Sequence, residues 1–459
     1  MQAAQNELIT RVGPGTPCGE LLRRYWQPVA LLDEFDPRLD PRMAGRPVKP
    51  VRLMGQELVL FKDSNGRFGL LDRDCPHRGA DLAFARHEGD GIRCPFHGWK
   101  FAVDGACLET PAEPAGSTLC QRVRQRSYPL LEQAGVLFAY LGPEQPDHSA
   151  PPALPAFDCF TAPATHSFAF KGLWHCNWLQ AFEVGIDPAH PSFLHRFLRD
   201  DSLDATFGRQ FRAASAGEVN GERWPMTRVM RERFSPEIRF DEVVPGLTRL
   251  TTLRAIDDAK THVRVTHAAF PHTFVIPLSE TVTITQMHVP VDDTHTYWYS
   301  FFTSFAAPLD RETMRAQRLA GITLPDYLPR RGRHDNWGYD AEEQRTRTFL
   351  GMGEEDINVH DQWAVESMGA IQDRTREHLG QSDKVIMANR RTLLKAIATV
   401  QAGGMPPLVL SADDAAALRG PDTIDCIAPA AGWEQHWQAA ARAKRDGAAW
   451  LAAAPSAAA

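Results

Sequence analysis

From Val51 the chain falls into short alternating runs, as in "VRLMGQELVLFKDSNGRFGLLD". Asp63-Ser64-Asn65-Gly66 separates two apolar runs there and predicts a hairpin. Short strands of this kind continue to about Leu141, where "GPEQPDHSAPPALP" forms a Pro-rich linker and marks a domain boundary. Upstream, "ITRVGPGTPCGELLRRYWQPVALL" reads as a loop with two Gly/Pro breaks followed by a short amphipathic helix. Downstream, "TVTITQMHVPVDDTHTYWYSFFTSF" predicts two strands joined at Asp292-Asp293. From Asp361 the period becomes helical: Ala364, Met368 and Ile371 share a stripe, and Gly380 is placed to cap the end. A second helix is expected from Ser382 as N-cap, with Ile386, Leu393, Ile397 and Val400 facing inward. The tail "DGAAWLAAAPSAAA" is low in complexity and is expected to be frayed or disordered. No internal repeat is visible. The expected division is an N-terminal segment, 1–45, packing on the body; a small β domain, 46–145; a large domain, 146–445; and an Ala-rich tail, 446–459.

Composition narrows the function classes. A chain of 459 residues is too long for one ordinary core, which agrees with two domains of unequal size. A net charge of −7 argues against nucleic-acid binding through a basic face. The start, "MQAAQNELIT", has no basic or apolar region of a secretory signal, and no apolar run is long enough to predict a membrane span. Eight cysteines in so long a chain do not make a disulfide scaffold. A reducing, cytoplasmic location is expected.

The chemistry begins in "CPHRGADLAFARHEGDGIRCPFHGWKF". Cys75 and His77 are separated by one residue, Cys94 and His97 by two, with sixteen residues between the pairs. Two thiolates and two imidazoles suit a tetrahedral zinc ion. They also suit a Rieske cluster, in which two cysteines hold one iron and two histidines the other. Each loop here supplies one sulfur and one nitrogen, whereas zinc loops usually supply cysteines in pairs, so the cluster is favoured. Gly79 and Gly98 let backbone amides approach the sulfurs, and Trp99 is placed to dry one side. Neutral imidazoles in place of two thiolates raise the cluster's potential, so it carries single electrons and does no bond chemistry itself. Cys18, Cys107, Cys120, Cys159, Cys176 and Cys426 show no metal spacing and are taken as structural.

The bond chemistry is sought in "HCNWLQAFEVGIDPAHPSFLHR". His190 and His195 are five residues apart, which on an unbroken helix turns them about 140° from one another. Pro188 and Pro191 interrupt any such helix, so a bent segment is free to bring the imidazoles together. From the residues alone this remains a pair of neighbouring histidines.

With the cluster upstream, "NWLQAFEVGIDPAHPSFLH" in the middle, "HVPVDDTHTYWYSF" later and "HDQWAVESMGAIQDRTREHLGQSD" near the end, the chain resembles the oxygenase (alpha) subunit of Rieske non-haem iron aromatic ring-hydroxylating oxygenases. The likeness is to the phthalate 4,5-dioxygenase-like branch, which includes O-demethylases. It implies an α+β fold: an N-terminal all-β Rieske domain and a C-terminal catalytic domain with a large antiparallel sheet covered by helices, helix-grip-like. It implies one 2Fe-2S cluster and one mononuclear non-haem Fe(II) per subunit, the latter held by His190, His195 and Asp361. The residues alone do not select Asp361 over Glu354, Glu355, Asp356 or Glu366, and an acid in the first turn of a helix is favoured by the dipole in any case. Asp187 matches the family's bridging aspartate, between His190 and His97 of a neighbouring subunit; followed by Pro188, it equally has the form of a helix N-cap. Asn177 and Glu183 match supporting positions near the iron, and Val184 stands where the family often has Asn.

The resemblance further implies a homotrimer or a stacked pair of trimers, and a separate NAD(P)H-dependent reductase, with or without a ferredoxin. The absence of a GxGxxG fingerprint agrees with a separate reductase. Dioxygen and an aromatic acid are the implied substrates, with ring dihydroxylation or O-demethylation as outcomes; no nucleic acid or membrane is involved. Arg196, Arg199 and Arg209 are read as surface residues rather than substrate anchors, and most phenylalanines between Phe157 and Phe305 as core. The competing expectations are a Rieske electron carrier without a catalytic iron and a zinc-stabilised binding protein.

Overall fold

The structure, a computed structural model, describes residues 1–143, 151–200, 202, 206–214 and 216–452. The chain opens with two short helices, α1 (Ala3–Thr10) and α2 (Pro17–Leu22), with the Gly/Pro-broken loop between them. Thr16 caps α2 with Pro17 at its first position, the asymmetry favoured at helix starts. Three small antiparallel sheets follow. Strand β1 (Gln27–Leu31) pairs with β10 (Val136–Ala139), which pairs with β9 (Leu130–Gln133). The second sheet is β2 (Val48–Leu53), β3 (Gln56–Lys62) and β4 (Phe68–Asp72). The third is β5 (Arg86–Glu88), β6 (Gly91–Arg93), β7 (Lys100–Ala102) and β8 (Cys107–Glu109). The β3–β4 hairpin turns at Asp63–Gly66 as the pattern predicts: Asp63 Oδ1 accepts from Asn65 N and Arg67 N, and Gly66 takes a φ of +83°. Val59, Phe61, Leu71, Cys75, Ile92, Cys94 and Phe101 form a core of their own behind the two cluster loops.

The large domain is built on one curled sheet. Its strands are β11 (Ser167–Trp174), β12 (Ala216–Val219), β13 (Glu222–Pro225), β14 (Glu237–Val244), β15 (Leu247–Ala255), β16 (Lys260–Ala269), β17 (Thr273–Pro277), β18 (Val282–Pro290), β19 (Thr296–Ser304) and β20 (Ile424–Pro429). The central order is β11-β19-β18-β17-β16, with β15 and β20 both pairing β16. Pairing is antiparallel except for one parallel contact between β12 and β20, so the sheet is mixed. Strands β18 and β19 meet through the turn at Asp292-Asp293, in full register from Val282↔Ser304 to Pro290↔Thr296. β18 is buried along its whole length, the mark of a strand covered on both faces. Helices α3 (Trp178–Ile186), α4 (Asn358–Ser367) and α5 (Lys384–Gln401) lie near the site.

Two helix expectations need correction. The helix through Asp361 begins at Asn358 and stops at Ser367; Gly369 then takes a φ of +93°, Met368 is 46% exposed and Ile371 lies beyond the end. Gly380 ends no helix: it is the N-cap of a 3-10 turn, Gln381–Asp383, and donates its N–H to Asp383 Oδ2 at 2.7 Å. The next helix, α5, starts at Lys384, leaving Ser382 inside that turn; Ile386, Leu393, Ile397 and Val400 face inward as expected. Ala449–Ala452 of the tail is helical, with Trp450 Nε1 donating to Ser304 O at 3.1 Å, while 453–459 and the linker at 144–150 lie outside the described residues. Among the described residues no helix is long and apolar enough to cross a membrane.

Two candidate metal centres

Two loops of the small domain follow the same hydrogen-bond plan. Cys75 N donates to Ala80 O and Gly79 N to Cys75 O, both at 2.8 Å; Cys94 N donates to Trp99 O at 2.8 Å and Gly98 N to Cys94 O at 3.1 Å. Each turn needs a positive φ, supplied by Gly79 (+75°) and Gly98 (+77°). A Cβ at Gly98 would stand 2.8 Å from Pro111 Cγ, so the second loop also has no room for a side chain there. Both cysteines are 2% exposed, whereas His77 and His97 stand half-buried at the rim with ring centroids 4.5 Å apart. Trp99 stacks on His77 at 4.4 Å.

This donor set fits the two-iron cluster. Burial, and then the neighbouring Cys94, push the Cys75 thiol up to about 11, a cost that thiolate–metal bonds remove. Desolvation, then His77 and Arg78, lower His97 below the ordinary histidine value, and its buried Nδ1 makes no hydrogen bond. Among the described residues, the one set of three or more His, Cys, Asp or Glu donors within 4.8 Å of one another lies elsewhere. The four cluster donors are therefore too spread to share a single tetrahedral zinc ion, whose ligands stand about 2.0–2.3 Å from the metal.

That other set is His190, His195 and Asp361. Asn177 caps α3 through its Oδ1, which accepts from Leu179 N at 3.2 Å, and its Nδ2 donates to Thr10 O and Asp293 O. At the far end of α3, Asp187 Oδ1 accepts from Ala189 N at 2.8 Å and from His190 N at 3.4 Å, starting the 3-10 turn His190–Ser192. Pro188 and Pro191 keep that segment from rejoining a helix. The bend brings the two histidines together, with ring centroids 5.1 Å apart, and α4 delivers Asp361 from 166 positions beyond His195 in its first turn.

The electrostatics are those of a ligand set without a proton to share. Asp361 Oδ1 lies 3.1 Å from His195 Nε2 and 3.7 Å from His190 Nε2, yet is buried and accepts no hydrogen bond. Burial raises Asp361 to about 6 and lowers His195 to about 3, the latter helped by Arg212; His190 is lowered by burial too. A divalent cation among them reverses the cost for the carboxylate and uses both imidazoles in their neutral form.

Two cavities flank this set. One of about 840 Å³ is bounded by His190, His195 and Asp361, by apolar Leu250, Phe274, Ile284, Trp298 and Phe302, and by polar Thr252, Gln286, Arg212 and Arg264. The other, about 890 Å³, lies against Glu183, Asp187, His190, Trp337, Phe349 and Ile386. Asp187 and His190 stand in the wall common to both.

Not every residue matched by resemblance reaches the metal set. Asn177 sits at the opposite end of α3, fully buried and in neither cavity wall. Glu183 is clamped by Arg374 Nη2 (3.1 Å) and by Arg390 Nε and Nη2 (2.5 and 2.8 Å). The Asp187 carboxylate is 4.0 Å from His190 Nδ1, which donates instead to the Asp187 main-chain oxygen at 2.8 Å. Arg196 lies over Phe193 and donates to Arg231 O, Arg209 meets Glu355, and Arg199 is exposed; none lines the 840 Å³ cavity. The arginines that do include Arg212, Arg264, Arg318, Arg330 and Arg331, none of them singled out by the sequence. The signal for Arg264 was there: in "KTHVRVTH" the polar residues alternate with buried valines and so share one face.

Comparison with known proteins gives two family matches. Residues 26–129 match the Rieske [2Fe-2S] domain and residues 139–419 the family described as LigXa C-terminal domain like. The phthalate 4,5-dioxygenase oxygenase subunit of Pseudomonas putida is 35% identical over 414 residues, covering 87% of each chain. The 5,5'-dehydrodivanillate O-demethylase oxygenase subunit of Sphingobium sp. is 29% identical, covering 89% of this chain and 84% of that one. The structure of Pseudomonas putida CBB5 NdmA with caffeine has the same fold, with a TM-score of 0.55 at 16% identity, covering 86% of this chain and 98% of that one.

Proposed function

The chain belongs to the Rieske oxygenase family as an oxygenase subunit, and on that premise we propose that it hydroxylates an aromatic acid by ring dihydroxylation. It carries a Rieske cluster and a mononuclear iron: the first supplies single electrons, and the second, held on one face by two histidines and a carboxylate, supplies a site where dioxygen is activated. In this reading Cys75, His77, Cys94 and His97 hold the cluster, and His190, His195 and Asp361 the iron. The observation that carries it is the convergence of two imidazoles and a carboxylate on the wall of a cavity large enough for a small aromatic molecule.

The walls favour a ring bearing an acid group. Phe274, Ile284, Trp298 and Phe302 offer flat apolar surface beside the metal set. On the neighbouring sheet face Arg254 and Arg264 stand near one carboxylate, Asp425, which bonds Arg264 and His262. Arg254 is 1% exposed and hydrogen-bonds only neutral oxygens, of Thr252, Pro188 and Ser192; burial, then Arg264, pull it down to about 10. Arg264 lines the 840 Å³ cavity and Arg254 stands behind it, so a carboxylate bound at Arg264 adds negative charge beside both. The likeness to an O-demethylase subunit supports a second reading, demethylation of a methoxylated aromatic acid at the same site. Product analysis separates them: a cis-diol for the first, formaldehyde for the second.

Electrons come from a separate NAD(P)H-dependent reductase, directly or through a ferredoxin, and cross between subunits of a homotrimer to Asp187. Support comes from the apolar 890 Å³ cavity beside Asp187 and from Phe96, 55% exposed next to His97, as an apolar tip for that cavity to receive. Eight cysteines, all free, fit a cytoplasmic setting. The test of the iron assignment is Asp361→Ala. It is expected to keep the visible spectrum and both irons of the cluster while losing the third iron and all product; unchanged iron content would place the carboxylate ligand elsewhere.

A further inference from the structure

His360 immediately precedes Asp361 in α4 and is fully buried. Its Nε2 lies 2.7 Å from Gly353 O, and its Nδ1 lies 3.3 Å from His195 Nδ1. The two rings are 23° from coplanar with centroids 5.5 Å apart. That separation matches the nitrogen–nitrogen distance plus one ring radius at each end, so the rings meet edge to edge, as an in-plane N–H···N bond requires.

The protons can be assigned in order. A main-chain carbonyl only accepts, so His360 Nε2 carries the hydrogen. A neutral imidazole has one N–H, so His360 Nδ1 presents a lone pair and accepts from His195 Nδ1–H. The neutral His195 ring then has its own lone pair on Nε2, the atom 3.1 Å from Asp361 Oδ1. His190 reaches the same state by a different route, its Nδ1–H donating to Asp187 O at 2.8 Å.

We infer that His360 is a positioning residue for the metal centre: without touching the metal, it fixes the His195 tautomer that turns Nε2 toward the ion. One turn of α4 thus supplies a ligand, Asp361, and the group that orients another. This rests on the reading of His190, His195 and Asp361 as an iron site. Outer partners of metal-bound histidines are worth about 10–100-fold in metal affinity.

The test uses the full chain with its cluster intact and the mononuclear site emptied by a chelator, titrated with Co(II) in a calorimeter. His360→Leu removes the acceptor and is expected to weaken Co(II) binding by about 10–100-fold with the cluster spectrum unchanged. His360→Gln, whose side-chain carbonyl can accept from His195, is expected to recover most of that loss. Wild-type affinity in the Leu variant, or a Gln variant no better than Leu, overturns the inference. If the Leu variant does not fold, pulsed EPR of the Cu(II)-loaded wild-type protein decides. Ligation of His195 through Nε2 with a protonated remote nitrogen supports the inference, and ligation through Nδ1 overturns it. A wild-type protein that binds no Co(II) at His190 and His195 would instead sink the iron-site reading itself.

Discussion

Asp292 and His295, in the turn between β18 and β19, join parts of the chain far apart in sequence. Asp292 Oδ1 accepts from His295 Nδ1 at 2.9 Å and from Thr294 N at 2.8 Å, while Oδ2 meets Arg52 of β2 at 3.1 Å. The hydrogen bond to Asp292 raises His295 above the ordinary histidine value, against partial burial. Burial alone would raise Asp292, but His295 and Thr294 outweigh it and hold it well below the usual carboxylate range. A raised folded-state value means that the stabilisation is fully present below the unfolded histidine value, about 6.5, and is lost as pH rises through the folded one. His295→Gln should therefore lower the thermal midpoint most in acid, relative to wild type, with the gap closing as pH passes above neutrality; melting curves across that range check it. At this scale the two loops proposed to hold the cluster were legible because each cysteine–histidine pair sits within one short turn. Asp361 was not, because its rivals are also acids nearby. The structure separates them by partner: Glu354 meets Arg347, Glu355 meets Arg209, Asp356 meets Arg318 and Glu366 meets Trp337, while Asp361 Oδ1 accepts nothing.

Among the elements, α3 is held as firmly as any part of the site. Its N-terminus is tied to Thr10 and Asp293 by Asn177, and Glu183 on its last turns is enclosed by Arg374 and Arg390. Arg390 also bonds Glu377. Removing the carboxylate leaves two arginines, 0% and 5% exposed, short of a counter-charge. Breaking a buried pair from one side typically costs about 3–5 kcal/mol, so Glu183→Leu should show a large loss in urea-denaturation stability. A near-wild-type midpoint would assign Glu183 no such clamping role. The sequence did not predict this helix and gave Asp187 the form of an N-cap, whereas it closes the C-terminal end; nor could it tell a ligand's neighbour from a strut, since both are polar residues in an apolar run. The stripe read from Asp361 onward failed for a related reason. Periodicity continued past Gly369, but the positive φ there and the inward bond of Glu366 to Trp337 end the helix a turn earlier.

For the whole molecule, the turn at Asp63–Gly66, the pair of strands joined at Asp292-Asp293 and the change from short strands to a mixed domain were visible in local pattern. The convergence of His195 with Asp361, and of Val12 N with Asp293 Oδ1 at 2.9 Å, depends on contacts between distant segments that no window of sequence contains. Asp187→Ala should leave cluster and iron in place, since His190 Nδ1 is held by the main chain of residue 187 and not by its carboxylate. Rapid mixing with substrate and dioxygen should then show the pre-reduced cluster reoxidising far more slowly than in wild type, with product falling in parallel. Full-speed turnover in this variant would remove the aspartate from the electron route. His190 and Asp187 also border a chamber on either side. On the proposed route electrons and substrate then reach the metal set from opposite sides, so the 840 Å³ chamber can be recarved for a bulkier ring, at Phe274 or Phe302 for example, while the walls of the 890 Å³ one stay as they are.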